Sequence, residues 1–254
     1  MRSQFAGLYL REVLRTFRNP FVMLMTVVQP FMWLAFFGSG FSKYASQLAA
    51  VYGTSNYIEF LLPGVLSTSM LSIGMFGSMS TIQDKRFGFM KRILITPTSK
   101  QVIFLSKAFG AATRGLIQIP VMVAAAIVFG VSFHLSALDW AVWVLVLMFA
   151  AVGFASMFLA ITSSSTDWQT PGVVSNFITM PLMFASAALY PSSGFPGWMQ
   201  AISEFNPISY TASFGRDLVL GKGIDWLYTG YLAIFAFAMV AIGYFVSARW
   251  LKVE

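Results

Sequence analysis

The chain has 254 residues, 57% of them hydrophobic and 10% charged, with a mean hydropathy of +0.74 and a formal charge of +7. Average soluble domains are about 45–50% apolar and about 25% charged, so this is an integral membrane protein whose cations signal topology, not a nucleic-acid surface. The absence of cysteine and a lone histidine, His134, exclude disulfides, thiolate chemistry and a metal site built on paired Cys or His ligands within one chain.

Residues 2–18 are too polar to span. On a helical wheel Arg11, Arg15 and Arg18 fall within about 60° of one another, opposite Ala6, Leu10, Val13, Leu14 and Phe17. That split predicts a basic amphipathic helix lying in the headgroup layer. Residues 21–41 form the first span, 21 residues without a charge, or about 31 Å of helix against about 30 Å of hydrocarbon. Pro30 sits in mid-span and frees a backbone carbonyl, which a neighbour or water must satisfy. Thr26, Gln29 and Trp33 share one face, and a buried Gln turns that face toward the protein or a wet cavity.

A polar loop at 43–56 precedes the second span, 57–82, which is rich in Ser, Thr and Gly. Close helix packing explains those small residues. The stretch 84–107 is the one long charged interruption between apolar runs. Lys85, Arg86, Lys91, Arg92 and Lys100 sit in it, and a helix over 84–95 would bring Phe87, Met90, Lys91 and Leu94 onto one face. It reads either as an ordinary positive loop or as a docking surface for a cytosolic partner. The third span, 108–131, carries Arg114 six residues in, about 9 Å deep by helical rise, where the guanidinium is expected to reach back to the interface or to the 84–107 loop. Spans four and five follow at 140–161, flanked by Asp139 and by Asp167 and Trp168, and at 171–190, where Asn176, Met180 and Met183 share a face. Residues 191–222 hold Pro191, Pro196 and Pro207 and are too polar to cross; they read as two short helices dipping into the outer leaflet. The sixth span is 226–248.

With the N-terminus inside, eleven cations fall on inner segments and three (Lys43, Arg216, Lys222) on outer ones. Both termini and the 84–107 loop are therefore expected in the cytosol. No Walker A motif is present: GRDLVLGKG from Gly215 has the wrong spacing and Gly223 where Ser or Thr should hold magnesium. None of the nine carboxylates lies deep in a span, whereas ion-coupled carriers place acidic groups near the midplane. Energy from outside the chain is the expectation. NPISY, Asn206–Tyr210, has the NPxxY form of rhodopsin-like receptors, but six spans make that coincidence, and Pro207 reads as a helix starter.

Asp84, Gly88, Arg92, Leu94, Pro97 and Ser99, then Lys107, Gly110, Arg114 and Gln118, resemble the loop and third-helix ladder of the ABC type-2 export permeases. Asn206, Pro207, Tyr210, Arg216 and Gly221 resemble that family's segment before the last helix. The sequence departs at Asp84, where many members carry Glu, and at Lys100, where many drug exporters carry Arg. The resemblance implies an all-α membrane protein with an interfacial helix, six spans, a cytoplasmic coupling helix between spans two and three, and re-entrant helices between spans five and six. It also implies a homodimer paired with two copies of an ABC ATPase, which holds the ATP and Mg, with no cofactor on this chain. Asp84, Lys85, Arg86, Gly88, Phe89, Lys91, Arg92 and Leu94 would then meet the ATPase beside Arg11, Arg15 and Arg18. Thr26, Gln29, Trp33, Asn176 and Met180 would line the path of an amphipathic cargo. A stand-alone channel or carrier with no ATPase is the competing class.

Overall fold

The computed structural model describes residues 2–40, 56–164 and 169–250. The expected loop at 43–56, its Lys43, the pair Asp167 and Trp168, and Lys252 fall largely or wholly outside them. Among the described residues the protein is all helical: α1 (Arg2–Phe17), α2 (Pro20–Gly40), α3 (Tyr57–Arg86), α4 (Phe89–Leu94), α5 (Lys100–Val128), α6 (Ala137–Ser164), α7 (Thr170–Phe184), a 3₁₀ turn (Ser192–Gly194), α8 (Gly197–Glu204), α9 (Pro207–Val219) and α10 (Trp226–Trp250). Five of these, α2, α3, α5, α6 and α10, are long and apolar enough to cross a membrane.

The bundle is built around α3, whose Phe60, Leu61, Leu62, Leu66 and Leu71 are fully enclosed. Helix α6 packs along it through Val146, Ala150, Phe154 and Phe158. Helices α2 and α10 are peripheral and keep long apolar faces outward, with Phe36, Phe237 and Phe245 exposed. In lipid that exposure carries no cost, because the tails are as apolar as the side chains.

The helix expected over 84–95 is divided. Helix α3 runs on to Arg86, and Gly88 at φ +70° starts α4 three residues later. This left-handed turn takes Phe87 off the face it was expected to share and leaves it 76% exposed. Met90 and Ile93 are instead the residues that bury, against Ile103 of α5. Helix α5 begins at Lys100, where the Val102 amide donates to the Ser99 hydroxyl, so the Pro-x-Ser turn is an N-cap.

Helix α7 stops at Phe184, short of the expected 190, and its 15 residues extend only about 22 Å. The chain from 185 to 189 is buried without helical structure. Such backbone is stable only if its polar groups are met, and α9 meets them. Asn206 donates to the carbonyls of Leu182 and Ala185 at 2.7 and 3.0 Å. The Ala187 amide donates to the Ser209 hydroxyl at 3.0 Å, and Arg216 donates to the carbonyls of Ala188 and Phe60. Pro207 occupies the first turn of α9 behind the Asn206 cap. The NPxxY-like segment is thus a clamp on the break after α7, with Tyr210 stacked on Tyr231 at 3.8 Å.

Candidate functional site: the basic end and its cavity

Helix α1 lies against α5 at the end of the bundle where α3 and α6 finish and α5 begins. Gly110 makes that approach possible, because a Cβ there would sit 2.7 Å from Glu12 Cβ. Tyr9 and Thr113 join hydroxyls at 2.8 Å across the same contact, and Phe5 meets Phe109 edge-on. The orientation of α1 is the reverse of a simple interfacial helix. Arg11 and Arg15 turn inward, while Leu10, Leu14 and Phe17 are exposed. Arg18 is exposed.

The inward arginines meet Asp84. Arg11 pairs with its carboxylate through two nitrogens, at 2.7 and 3.2 Å, and Arg15 reaches it at 3.3 Å while also bonding Gln83. Lys107 donates to Asp84 at 2.6 Å, to Glu12 at 3.1 Å and to Ser80 at 3.2 Å. Glu12, Asp84 and Lys107 are 2, 3 and 4% exposed, so water contributes little and the three charges depend on one another. Glu12 was missed as a site residue. The signal was present: a lone carboxylate between Arg11 and Arg15, at the position that meets Gly110.

This ionic knot ties α1, α3 and α5 together and seats α4. Arg11 lies 3.7 Å over the Phe89 ring, and Gln4 donates to the Pro97 carbonyl. Lys85 donates to the carbonyls of Thr162 and Ser163, at the C-terminal end of α6, where a cation complements the helix dipole. Lys100 does the same for α10 through Ala248. Leu94 is half-buried against Met90 and Ile93, whereas Arg86, Lys91 and Arg92 are exposed. The eight residues expected on the coupling surface are therefore split between anchors (Asp84, Lys85, Phe89, Leu94), the turn (Gly88) and an outward cationic face (Arg86, Lys91, Arg92).

Beside the knot, α2, α3 and α5, with Glu12, Arg15 and Thr16 of α1, line an open cavity of about 470 Å³ that reaches from Gln83 to Val65 along α3. Thr26, Gln29 and Trp33 line it, although Gln29 is exposed to that space and not buried as expected. Gln118 donates to the Thr26 carbonyl at 2.9 Å, which is the group freed by Pro30 four residues on. Asn176 and Met180 lie on the exposed face of α7, outside the cavity, and Met183 is the α7 residue that lines it. Arg114 does not reach an acid. It lines the cavity with its Nε buried and unbonded, because Glu12 and Asp84 are already held by Arg11, Arg15 and Lys107.

An all-helical bundle with five bilayer-length helices and an ion-paired basic end defines a multi-pass membrane protein. The chain matches the ABC-2 type transporter family over residues 3–220 and belongs to it: it is a membrane permease of an ABC transporter, not itself an enzyme. Similar proteins include the transport permease ycf38 of Cyanophora paradoxa, 28% identical over 228 residues, 89% of this chain and 77% of that one. The daunorubicin resistance ABC transporter permease protein DrrB1 of Streptomyces coeruleorubidus is 23% identical over 222 residues, 85 and 75% of the two chains. The inner membrane transport permease YadH of Escherichia coli K12 is 25% identical over 240 residues, 93 and 91%. Membership implies an ABC ATPase as partner.

Proposed function

We propose that this chain is the membrane half of an exporter that moves an amphipathic small molecule, drug or lipid out of the cytoplasm, with ATP and Mg held by a separate ATPase. Two copies form a homodimer of twelve spans on two ATPase subunits. In this reading α7 and the 185–190 segment make the fifth of six spans, α8 and α9 are the outer-leaflet re-entrant pair, and α1 lies at the inner interface. Both termini face the cytosol across the cytoplasmic (inner) membrane. The relatives named for daunorubicin resistance and for the inner membrane support the cargo class and the location.

The observation that carries the reading is the construction of α4. Its inner face is fixed by Met90 and Ile93 and its flank by the Asp84 knot, while its Lys91 and Arg92, and Arg86 and Phe87 just before it, are exposed. A rigidly seated, outward-facing helix is suited to receive force from a subunit that changes shape on binding ATP. Closure of the ATPases would press on α4 and α1 and open a path between α2, α3 and α7 of the two copies, with Thr26, Gln29, Trp33, Asn176 and Met180 along it.

Two substitutions test this. Arg92→Glu reverses charge on the outer face without touching the buried one, and should abolish co-purification of Mg-dependent ATPase activity and export of an amphipathic dye from cells. Gly88→Val places a β-branched residue at φ +70°, at a backbone cost of about 1–2 kcal/mol, and should lower export severalfold by shifting α4 with little loss of folded protein. Unchanged export and ATPase recovery in both variants would instead favour a stand-alone channel or carrier.

A further inference from the structure

We infer that the cavity selects cargo with an anionic headgroup, and that Arg114 is the residue that receives it. The inference rests on the exporter reading for the word cargo, but the binding it names does not. Around the inner part of the cavity stand four cations, Arg11, Arg15, Lys107 and Arg114, against two carboxylates, Glu12 and Asp84. The knot is electropositive by one charge, and Arg114 beside it raises the excess to two. Glu12 is the one carboxylate that lines the cavity, and Lys107 holds it at 3.1 Å.

Arg114 is the cation left over. It makes no hydrogen bond or ion pair among the described residues, and its Nε is buried without a partner. One turn further along α5, Gln118 is 2% exposed with its amide nitrogen committed to the Thr26 carbonyl, and its Oε1 is likewise unbonded. Glu12 attracts Arg114 from beyond ion-pair distance, but a guanidinium at membrane depth with no hydrogen-bonded counter-charge is costly in an empty site and is stabilised by an anion that forks onto it. Phosphate and carboxylate headgroups share that chemistry.

The rest of the lining suits the tail. Met25, Trp33, Phe76 and Met183 form the apolar wall. Phe76 and Met25 are 55 and 42% exposed as well as lining the cavity, so its apolar wall is open on the side between α2 and α3.

The test is equilibrium binding of radiolabelled decyl phosphate to the purified permease in phosphatidylcholine nanodiscs, with competition by unlabelled decyl phosphate, decanol and decyltrimethylammonium. Decyl phosphate should compete at a concentration at least about tenfold below that of the neutral or cationic chain, the range expected for one charge-assisted hydrogen-bonded contact. Arg114→Gln should erase that preference, and Arg114→Lys should recover part of it. Ser72→Phe, which fills the cavity from α3 and leaves Arg114 intact, should weaken all three chains. Equal competition by decanol, or an unchanged preference in Arg114→Gln, overturns the inference. If Arg114→Gln does not fold, undiminished binding to Ser72→Phe overturns it instead. No ATPase takes part, so failure here leaves the exporter reading intact, and failure to recover an ATPase leaves this result intact.

Discussion

Replacing Asp84 with asparagine should cost about 3–5 kcal/mol of stability, the range for removing one partner of a buried ion pair. The side chain keeps its shape, but Lys107, 4% exposed, loses its 2.6 Å partner and must share Glu12. Arg11 and Arg15 are 28 and 37% exposed and are rehydrated more easily, so most of the loss falls on Lys107. Thermal unfolding of the detergent-purified protein, read by size-exclusion recovery after heating, measures it. Asp84→Asn combined with Lys107→Met should recover part of the loss, since removing both charges leaves neither stranded. Lys222→Ala is the control: its pair with Asp217 is 56% exposed on the lysine side, and such surface pairs contribute about 0–1 kcal/mol. Equal losses at Asp84 and Lys222 would show that the knot is not the desolvated network described.

Arg216→Met should be nearly as damaging, at about 2–5 kcal/mol, because two buried carbonyls lose their donor at about 1–3 kcal/mol each. Arg216 is 3% exposed, with Nε 2.9 Å from the Phe60 carbonyl, Nη2 on the Ala188 carbonyl and the guanidinium 3.7 Å over the Phe60 ring. The arginine acts as a fork that spans two backbone segments, so Arg216→Lys, which cannot fork, should restore little. Hydrogen exchange at the amides of 185–189 separates this loss from general unfolding: those amides should exchange faster in Arg216→Met while α6 keeps its protection. Uniform exchange across the molecule would count against a local clamp.

Helix existence was legible because the periodicity and length of apolar runs are large signals. Helices α2, α3, α6 and α10 begin within three residues of the apolar runs read at 21, 57, 140 and 226. The carbonyl freed by Pro30 was legible too, since proline chemistry is local; its donor, Gln118 on α5, needed the fold. What the sequence concealed was tertiary. Nothing local says that the arginine face of α1 turns inward, because the reason is Asp84, which lies 73 residues away from Arg11. Nothing local ends α7 at Phe184, because the groups that hold the following backbone come from Asn206, Ser209 and Arg216. The start of α4 was concealed differently: one glycine at positive φ outweighs a periodicity that reads straight through it.

One helix joins the two halves of the site. Helix α5 is a single run of 29 residues, with Ser99 capping its first turn beside α4, Lys107 in the knot and Gln118 on the Thr26 carbonyl of α2. From Lys100 to Gln118 is 18 residues, about 27 Å of stiff rod. A rigid strut of that length fixes the distance between the capped end beside α4 and the Thr26 carbonyl of α2, so displacement of one end is carried past Lys107 to the other.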